Sequence, residues 1–242
     1  MSMTQNEVAA SGLSTVKNAL RILNSFTVDE PQKRVSDLAA ELGLGKSTVS
    51  RLLTTLAGEG FVNKDAESQK YRLGLKILTL NSIVVSQLEV RTEARPILKE
   101  LVRETGEAAH IAVLEEREVV YLEQVECPHP VRILSYVGRR NPVHCTSSGK
   151  VLLAYQSADK LEEVLSGELV RYSANTVTDP AELRKQLERI REQEFCFSDS
   201  EYMEDVVSFA SPIRDHTRRV IAAVSLVGPK HRIHVQQHPS VK

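Results

Sequence analysis

The chain has 242 residues, with 31 Lys or Arg against 32 Asp or Glu and a hydrophobic fraction of 41%. These values are typical of a globular protein and exclude a strongly basic or acidic one. No apolar run approaches the roughly 18 residues of a membrane span. The N-terminus lacks the basic and then apolar order of a signal peptide. We therefore expect a cytoplasmic protein with no membrane partner, and a loose arm over residues 1–12.

Three short helices are predicted between residues 13 and 60, because apolar residues repeat at helical spacing in each. The apolar positions are Val16, Ala19, Leu20, Leu23 and Phe26 in the first helix, Leu38, Ala39 and Leu42 in the second, and Val49, Leu52, Leu53 and Leu56 in the third. Ser36 is placed to cap the start of the second helix and Gly43 to end it. The second and third helices together match a helix-turn-helix.

The third helix carries a polar, cationic face opposite its apolar stripe. No acidic residue lies between Leu42 and Glu59. A helix with a buried back and a short cationic front fits the major groove of double-stranded DNA. The candidate DNA contacts are Lys46, Ser47, Thr48, Ser50, Arg51 and Thr54, with Arg51 as the candidate for a base contact. The alternative is a solvated face that contacts only water.

A β-hairpin is predicted next, since residues 61–64 and 70–73 flank a polar tip at 65–69. Three helices and this hairpin predict a winged helix-turn-helix domain over 13–75. Lys64, Lys70 and Arg72 are the candidate phosphate contacts of the wing. Residues 1–78 hold 10 Lys or Arg against 8 Asp or Glu, whereas 79–242 hold 21 against 24. Such a weakly charged domain would bind DNA better as a dimer, which doubles its phosphate contacts.

A helical linker is predicted over 76–104, interrupted near Pro96, and its apolar residues make it a candidate dimer surface. From Glu107 the hydrophobic period changes to two. Strands are predicted at 110–114, 119–122 and 131–134, helices at 147–155, 159–165 and 180–192, and strands at 195–197, 206–213 and 220–227. This order predicts an α+β domain with one central sheet over 105–242.

The turn that precedes the helix at 147–155 is a candidate anion site. Thr146, Ser147 and Ser148 are small hydroxyl residues at its start. The free backbone N–H groups and positive dipole end of a helix suit a carboxylate. Simple capping by Thr146 or Ser147 explains the same residues. Both interpretations stay open on spacing alone.

Two segments resemble enzyme motifs only superficially. Gly45-Lys46-Ser47 ends like a nucleotide-binding P-loop, but Ala40 stands where that motif needs glycine, and a helix precedes it in place of a buried strand. Ser147 and Lys150 match the Ser-x-x-Lys of serine acyl enzymes, but neither Ser-Asp-Asn nor Lys-Thr-Gly follows. We expect no enzymatic activity and no cofactor.

The cysteines and histidines are candidates for disulfide, redox or metal chemistry. The three cysteines, Cys127, Cys145 and Cys196, are odd in number and widely spaced, which argues against a disulfide framework. One alternative is a redox or metal sensor that uses Cys127, His129, His144 and Cys145, although their spacing is not that of a zinc finger. Another is an enzyme with an appended DNA-binding head and its chemistry at His144, Lys150 or Asp199. We expect no metal.

Four ordered blocks of the chain resemble the IclR family of bacterial transcription regulators. They lie at 43–53, 71–74, 142–150 and 210–229, and the resemblance extends from about residue 13 to 233. It implies a winged helix, a connecting helix and a GAF-like effector domain. It also implies homodimers or homotetramers on palindromic operators, and small organic acids or catabolites as ligands. Repression is the expected mode of regulation.

The resemblance further implies an effector site. Carried over by motif, it comprises Ser147, Ser148, Asp199, Ser208 and Ser225. Family members commonly have a cysteine where Ser208 stands and a serine where Val227 stands. Many also have glycines at the positions of Asp205 and Arg218, so we expect altered loops at the mouth of the pocket.

Overall fold

The computed structural model describes residues 14–130, 133 and 135–233. This part of the chain divides into two compact units, with the boundary between Gln87 and Leu88, inside the predicted linker. The predicted arm lies outside the described residues, as does the predicted strand at 131–134 except for Ile133. No described helix is both long and apolar enough to cross a membrane.

The first unit contains three helices, a hairpin and a fourth helix. The elements are α1 (Ser14–Asn24), α2 (Val35–Leu42), α3 (Lys46–Gly58), β1 (Val62–Lys64), β2 (Tyr71–Leu73) and α4 (Lys76–Ser86). Strands β1 and β2 pair antiparallel, with Asn63 opposite Arg72. One core joins the apolar faces of α1 to α3 and the first strand through Ile22, Leu38, Val49, Leu53 and Val62. The predicted helix-turn-helix fold of this unit is confirmed.

The prediction for α2 was wrong at the start of the helix and correct at its end. Ser36 was wrongly predicted as its cap, because α2 begins at Val35 and Arg34 is the N-cap residue. The Arg34 backbone N–H is instead satisfied by the Asp37 carboxylate at 3.1 Å. At the other end Gly43 has φ +65°, the left-handed conformation that terminates a helix and that glycine adopts without a steric penalty.

Of the two expectations for Pro96, that it starts a new helix or that it kinks the existing one, the first was wrong. Helix α4 ends at Ser86, α5 spans Glu89–Thr105, and Pro96 lies inside α5. A proline removes one intrahelical hydrogen bond. The helix continues past it because Ala94, Leu98 and Val102 form a single buried face that packs on the sheet of the second unit.

The second unit is an α+β domain built on one sheet. Its remaining elements are β3 (Ala108–Glu115), β4 (Glu118–Val125), β5 (Arg140–Pro142), α6 (Ser147–Ala154), α7 (Ala158–Leu165), α8 (Pro180–Gln193), β6 (Cys196–Asp199), β7 (Val206–Arg214) and β8 (Val220–Pro229). Among the described residues the strands form one six-stranded sheet in the order β5-β4-β3-β8-β7-β6, and every neighbouring pair is antiparallel. The predicted central antiparallel sheet is confirmed.

Helices cover both faces of this sheet. Helix α5 packs on one face, against residues that include Ala109, Ile111 and Leu226. Helices α6, α7 and α8 share a core with residues on the other face, including Ala112 and Ala223. Because successive strand residues point to opposite faces, His110 and Ser225 lie on the side of α6. These two residues are also paired in register between β3 and β8.

Replacing Arg218 with glycine is expected to stabilise the chain. Arg218 is exposed and has φ +66° in the turn before β8. A non-glycine residue in this conformation destabilises the folded chain by roughly 1–2 kcal/mol. Glycine removes that strain, but its greater freedom in the unfolded chain lowers the free energy of unfolding by about 0.5–1 kcal/mol. Urea denaturation should show Arg218→Gly more stable by about 0.5–1 kcal/mol, with Arg218→Ala unchanged because it keeps the Cβ. Equal stability of the two variants would contradict the assignment of strain.

Candidate functional site

The face of α3 that was predicted to contact DNA is open to solvent. Val49 and Leu53 are fully buried on its back. All six candidate residues, Lys46, Ser47, Thr48, Ser50, Arg51 and Thr54, are exposed. The Thr54 hydroxyl donates to the Ser50 carbonyl at 2.9 Å. Since α3 follows α2 through the turn at Gly45, the P-loop interpretation also lacks its buried strand.

The wing is fixed to the helical core by its second strand. The buried Tyr71 exchanges two backbone hydrogen bonds with Lys33, at 2.8 and 3.0 Å. At the hairpin tip the Asp65 carboxylate accepts hydrogen bonds from the Ser68 hydroxyl and N–H, both at 2.7 Å. These bonds hold the pKa of Asp65 below its usual range. Of the candidate phosphate contacts, Lys64 and Arg72 are exposed and Lys70 is half-buried.

A cavity of about 60 Å³ lies in the second unit, between the sheet and the start of α6. Each of the six strands described above contributes a polar side chain to its wall: Asn141 from β5, Tyr121 from β4, His110 from β3, Ser225 from β8, Ser208 from β7 and Ser198 from β6. This volume holds about four or five water molecules, by the space that one buried water needs. The cavity is therefore small, polar and set within one unit of the chain.

The start of α6 forms part of the cavity wall. Thr146 is the N-cap residue, and its hydroxyl oxygen accepts the Gly149 N–H at 3.2 Å. Capping by Thr146 is thus confirmed, while Ser147 lines the cavity. The first backbone N–H groups of a helix have no intrahelical partner, so the positive end of α6 lies at the cavity. Gly149 allows this packing, because a Cβ there would lie 2.3 Å from the Val143 carbonyl oxygen.

Three of the five predicted effector residues, Ser147, Ser208 and Ser225, line the cavity. Ser148 is buried but does not line the cavity. The Asp199 carboxylate accepts hydrogen bonds from Lys230 Nζ at 2.7 and 2.9 Å, which lower its pKa, and it does not line the cavity. Its neighbour Ser198 does, because side chains alternate along β6.

Sequence reasoning missed one charged group of the cavity, Arg139, and favoured solvation on a surface loop for the other, Glu201, together with its acidic neighbours Asp199, Glu204 and Asp205. The Arg139 Nε donates to the Asn141 side-chain oxygen at 3.2 Å. Sequence reasoning also missed His110, although the period-two pattern of β3 places His110 on the same face as Ala112. The solvated interpretation of Glu201 was wrong, because this residue, in the loop that follows β6, is buried and ion-paired with Lys150.

Lys150 is 1% exposed and ion-paired within the protein. Its ammonium donates to the Glu201 carboxylate and to the Gln186 side-chain oxygen, the latter at 2.7 Å. The other Glu201 oxygen accepts the Ser198 hydroxyl at 3.1 Å. The hydrogen bonds of Lys150 thus go to Glu201 and Gln186 and not to Ser147, which argues against the serine acyl enzyme.

The residues of the proposed redox or metal sensor do not form a site. Burial raises the pKa of the Cys145 thiol to about 12, so this thiol is protonated and unreactive. The His144 Nε2 lies 2.9 Å from the Val170 carbonyl oxygen. Across the residues that the structure describes, no three His, Cys, Asp or Glu side chains are grouped to hold a metal ion.

Comparison with known proteins identifies the family. The family model of the IclR helix-turn-helix domain matches residues 15–66, and that of the bacterial transcriptional regulator IclR C-terminal region matches residues 82–242. The chain therefore belongs to the IclR family of bacterial transcription regulators. The resemblance stated from the sequence blocks is confirmed, and with it the class of DNA-binding regulator.

Curated relatives and solved structures agree with this assignment. The HTH-type transcriptional regulator XynR of Escherichia coli K12 is 35% identical, over 88% of this chain and 85% of that protein. The transcriptional repressor IclR of the same strain is 29% identical, over 93% of this chain and 83% of that protein. An IclR homolog from Microbacterium hydrocarbonoxydans, crystallised with 4-hydroxybenzoate, is 32% identical with a TM-score of 0.81, covering 92% of each chain.

Replacing His110 should reduce the acid sensitivity of the fold. Burial, with the positive charge of Arg139, lowers the pKa of His110 from 6.5 to about 4. As the pH falls from 6.5 to 4, the unfolded chain binds a proton that the folded chain does not, so stability falls in this window and the loss is complete below it. Between pH 7 and pH 5 this loss is about 2 kcal/mol.

Urea denaturation at both pH values measures the effect. His110→Gln should lose about 2 kcal/mol less than the unmodified chain between pH 7 and pH 5. The matched control is His216→Gln, at an exposed histidine, which should lose as much as the unmodified chain. An unaltered pH dependence in His110→Gln would contradict the lowered pKa of His110, because a group with equal pKa in both states contributes no pH dependence.

Proposed function

We propose that this chain is a repressor that binds a palindromic operator and whose DNA binding is modulated by a small organic acid. The supporting observation is that α3 presents an exposed, acid-free face in one unit while the other unit encloses a polar cavity. The first feature fits a DNA groove and the second a small ligand. We propose no enzymatic activity.

The DNA contacts are assigned by exposure and chemistry. Arg51 lies on the exposed face of α3, and arginine makes bidentate hydrogen bonds to guanine in the major groove. Lys46, Ser47, Thr48, Ser50 and Thr54 complete the contacts of this helix. Lys64, Lys70 and Arg72 of the wing are assigned to phosphates, which contribute affinity without sequence information. This role places the protein in the cytoplasm.

Helix α4 supports a homodimer, or a homotetramer built from dimers. None of its eleven residues is buried. Leu78, Leu80, Ile83 and Val84 are all exposed large hydrophobic residues. Helical spacing places Leu80, Ile83 and Val84 on one side of the helix, and an exposed apolar side is typical of an interface between proteins. A symmetric dimer presents two recognition helices to the two halves of a palindrome.

The cavity is assigned to the effector, with its carboxylate at the N-terminus of α6 near Ser147 and Ser225. The family member from Microbacterium hydrocarbonoxydans, which was crystallised with 4-hydroxybenzoate, supports an organic acid as ligand. A ligand shifts operator binding only if its affinity differs between the DNA-bound and free states of the protein. We propose that this difference in affinity carries the regulation.

Substituting Arg51 should relax operator discrimination. Arg51→Ala removes a base contact, so the preference for the operator over single-base variants should fall by about 1–3 kcal/mol at the contacted position. Arg72→Ala is the matched control, since it removes an exposed wing cation. This variant should bind all duplexes more weakly by a similar factor. The slope of log affinity against log salt concentration should become shallower by about one.

The measurement is a competition binding assay with an operator selected from a random duplex pool. Unchanged discrimination in Arg51→Ala, together with even weakening, would assign Arg51 to a phosphate. Loss of discrimination in Arg72→Ala would contradict the division of roles between helix and wing.

Filling the cavity should separate effector response from DNA binding. Ser225→Leu places a larger side chain at a wall position, and should abolish the effect of organic acids on operator binding while leaving operator affinity unchanged. Ser225→Ala keeps the space and should weaken the response. A full response in Ser225→Leu would contradict the assigned cavity. Loss of operator binding as well would indicate misfolding, which circular dichroism detects independently.

A further inference from the structure

The cavity wall is rich in hydroxyl groups. Six of the hydroxyl-bearing residues are Tyr121, Ser135, Ser147, Ser198, Ser208 and Ser225. A hydroxyl group donates one hydrogen bond and accepts others. Such a wall matches a ligand that carries donors as well as acceptors, and leaves an aromatic or alkyl ligand with unpaired polar groups around it.

Opposite charges border the cavity from its two sides. Arg139 directly precedes β5, and Glu201 follows β6. Strands β5 and β6 are the two edges of the sheet, so the guanidinium and the carboxylate enter the cavity from opposite edges. The positive charge of Arg139 reaches the interior, because it contributes to the lowered pKa of His110. The side of Arg139 thus favours an anionic group of a ligand, and the side of Glu201 favours a hydrogen-bond donor.

The Glu201 carboxylate is suited to a neutral donor. Its charge is offset by the Lys150 ammonium, which lies outside the cavity lining. One oxygen accepts the Ser198 hydroxyl. An ionised carboxylate has about four acceptor positions, so capacity remains for a ligand. A ligand hydroxyl can use this capacity, whereas an ammonium would meet a carboxylate that is already paired.

The size of the cavity restricts the ligand further. Its volume of about 60 Å³ is far below the roughly 300–1,000 Å³ of sites for drug-sized molecules. Tyr202 and Met203 complete the wall next to Glu201, and Tyr202 is held by an edge-to-face contact with Tyr172, at 5.1 Å between ring centroids. A short chain fits this space better than an aromatic ring.

We infer that the effector is a short-chain hydroxycarboxylic acid, with its carboxylate toward Arg139 and the start of α6 and a hydroxyl group that donates to Glu201. This inference rests on the proposed function of the cavity as the effector site. Ser208 and Ser225, on the strands between the two edges, bond the remaining polar groups of the ligand.

The test is isothermal titration calorimetry of the full chain with propionate, L-lactate, L-glycerate and L-alanine. The first three acids share a chain length and carry no, one and two hydroxyl groups. Affinity should rise about 2- to 10-fold with each hydroxyl, as expected for one hydrogen bond. L-Alanine, which has an ammonium in place of the hydroxyl of L-lactate, should bind more weakly than L-lactate.

A double variant tests the role of Glu201. Lys150→Met with Glu201→Gln removes both charges of the pair together, so no buried charge is left alone. It should reduce the ratio of the affinities for L-glycerate and propionate to within about 2-fold. A retained preference in the folded double variant would overturn the role of Glu201. If circular dichroism shows that this variant does not fold, the ligand series on the unmodified chain decides.

The outcomes separate this inference from the proposed function. Equal affinities for the first three acids would overturn hydroxyl recognition and leave an organic-acid site. Binding of 4-hydroxybenzoate without binding of any short-chain acid would also overturn the inference, while the proposed function stands. If neither the short-chain acids nor 4-hydroxybenzoate bind, both fail.

Discussion

The buried ion pair between Lys150 and Glu201 determines how the cavity of the second unit is built. Burying two charges costs several kcal/mol per ion unless the geometry and further hydrogen bonds compensate it. Here Gln186 and Ser198 supply those hydrogen bonds. The pair therefore fixes α6, α8 and β6 relative to one another. Removing one partner alone would leave an uncompensated buried charge, at a cost of about 3–5 kcal/mol.

The same pair positions the loop that closes the cavity. The Glu201 backbone carbonyl accepts the Thr176 hydroxyl at 2.6 Å and the Ser173 hydroxyl at 3.1 Å. Glu201 is thus held by its side chain and its backbone, and Tyr202 and Met203 follow from that position. An acceptor that is fixed before the ligand arrives costs little ordering entropy on binding. In the effector site proposed above, such an acceptor would favour discrimination between short acids.

Local patterns in the sequence were sufficient for the first unit. The apolar spacing of Val49, Leu52 and Leu53 predicts both the buried back and the exposed front of α3, and Gly43 predicts the end of α2. Pro96 shows where local rules fail, since packing of Ala94, Leu98 and Val102 on the sheet outweighs the lost hydrogen bond. The prediction that Ser36 caps α2 was wrong by two residues, because the helix begins at Val35 and Arg34 is the N-cap residue.

The cavity was only partly predictable, because strand register and distant pairs have no local signal. Family motifs led to Ser147, Ser208 and Ser225, but also to Asp199, which pairs with Lys230 while Ser198 lines the cavity. The pairing of His110 with Ser225 joins strands more than one hundred residues apart. Lys150 and Glu201 are 51 residues apart, and the loop after β6 that brings them together carries no periodicity.

The proposed regulation requires that ligand binding in the cavity and DNA binding at α3 are energetically linked. Linkage is reciprocal, so the two affinities must change by the same factor. The direct measurement is the dissociation constant of the tightest-binding short-chain acid with and without saturating operator, set beside that of the operator with and without the acid. If the two sites are linked, the two factors are equal and differ from one. Factors of one in both titrations would contradict the linkage.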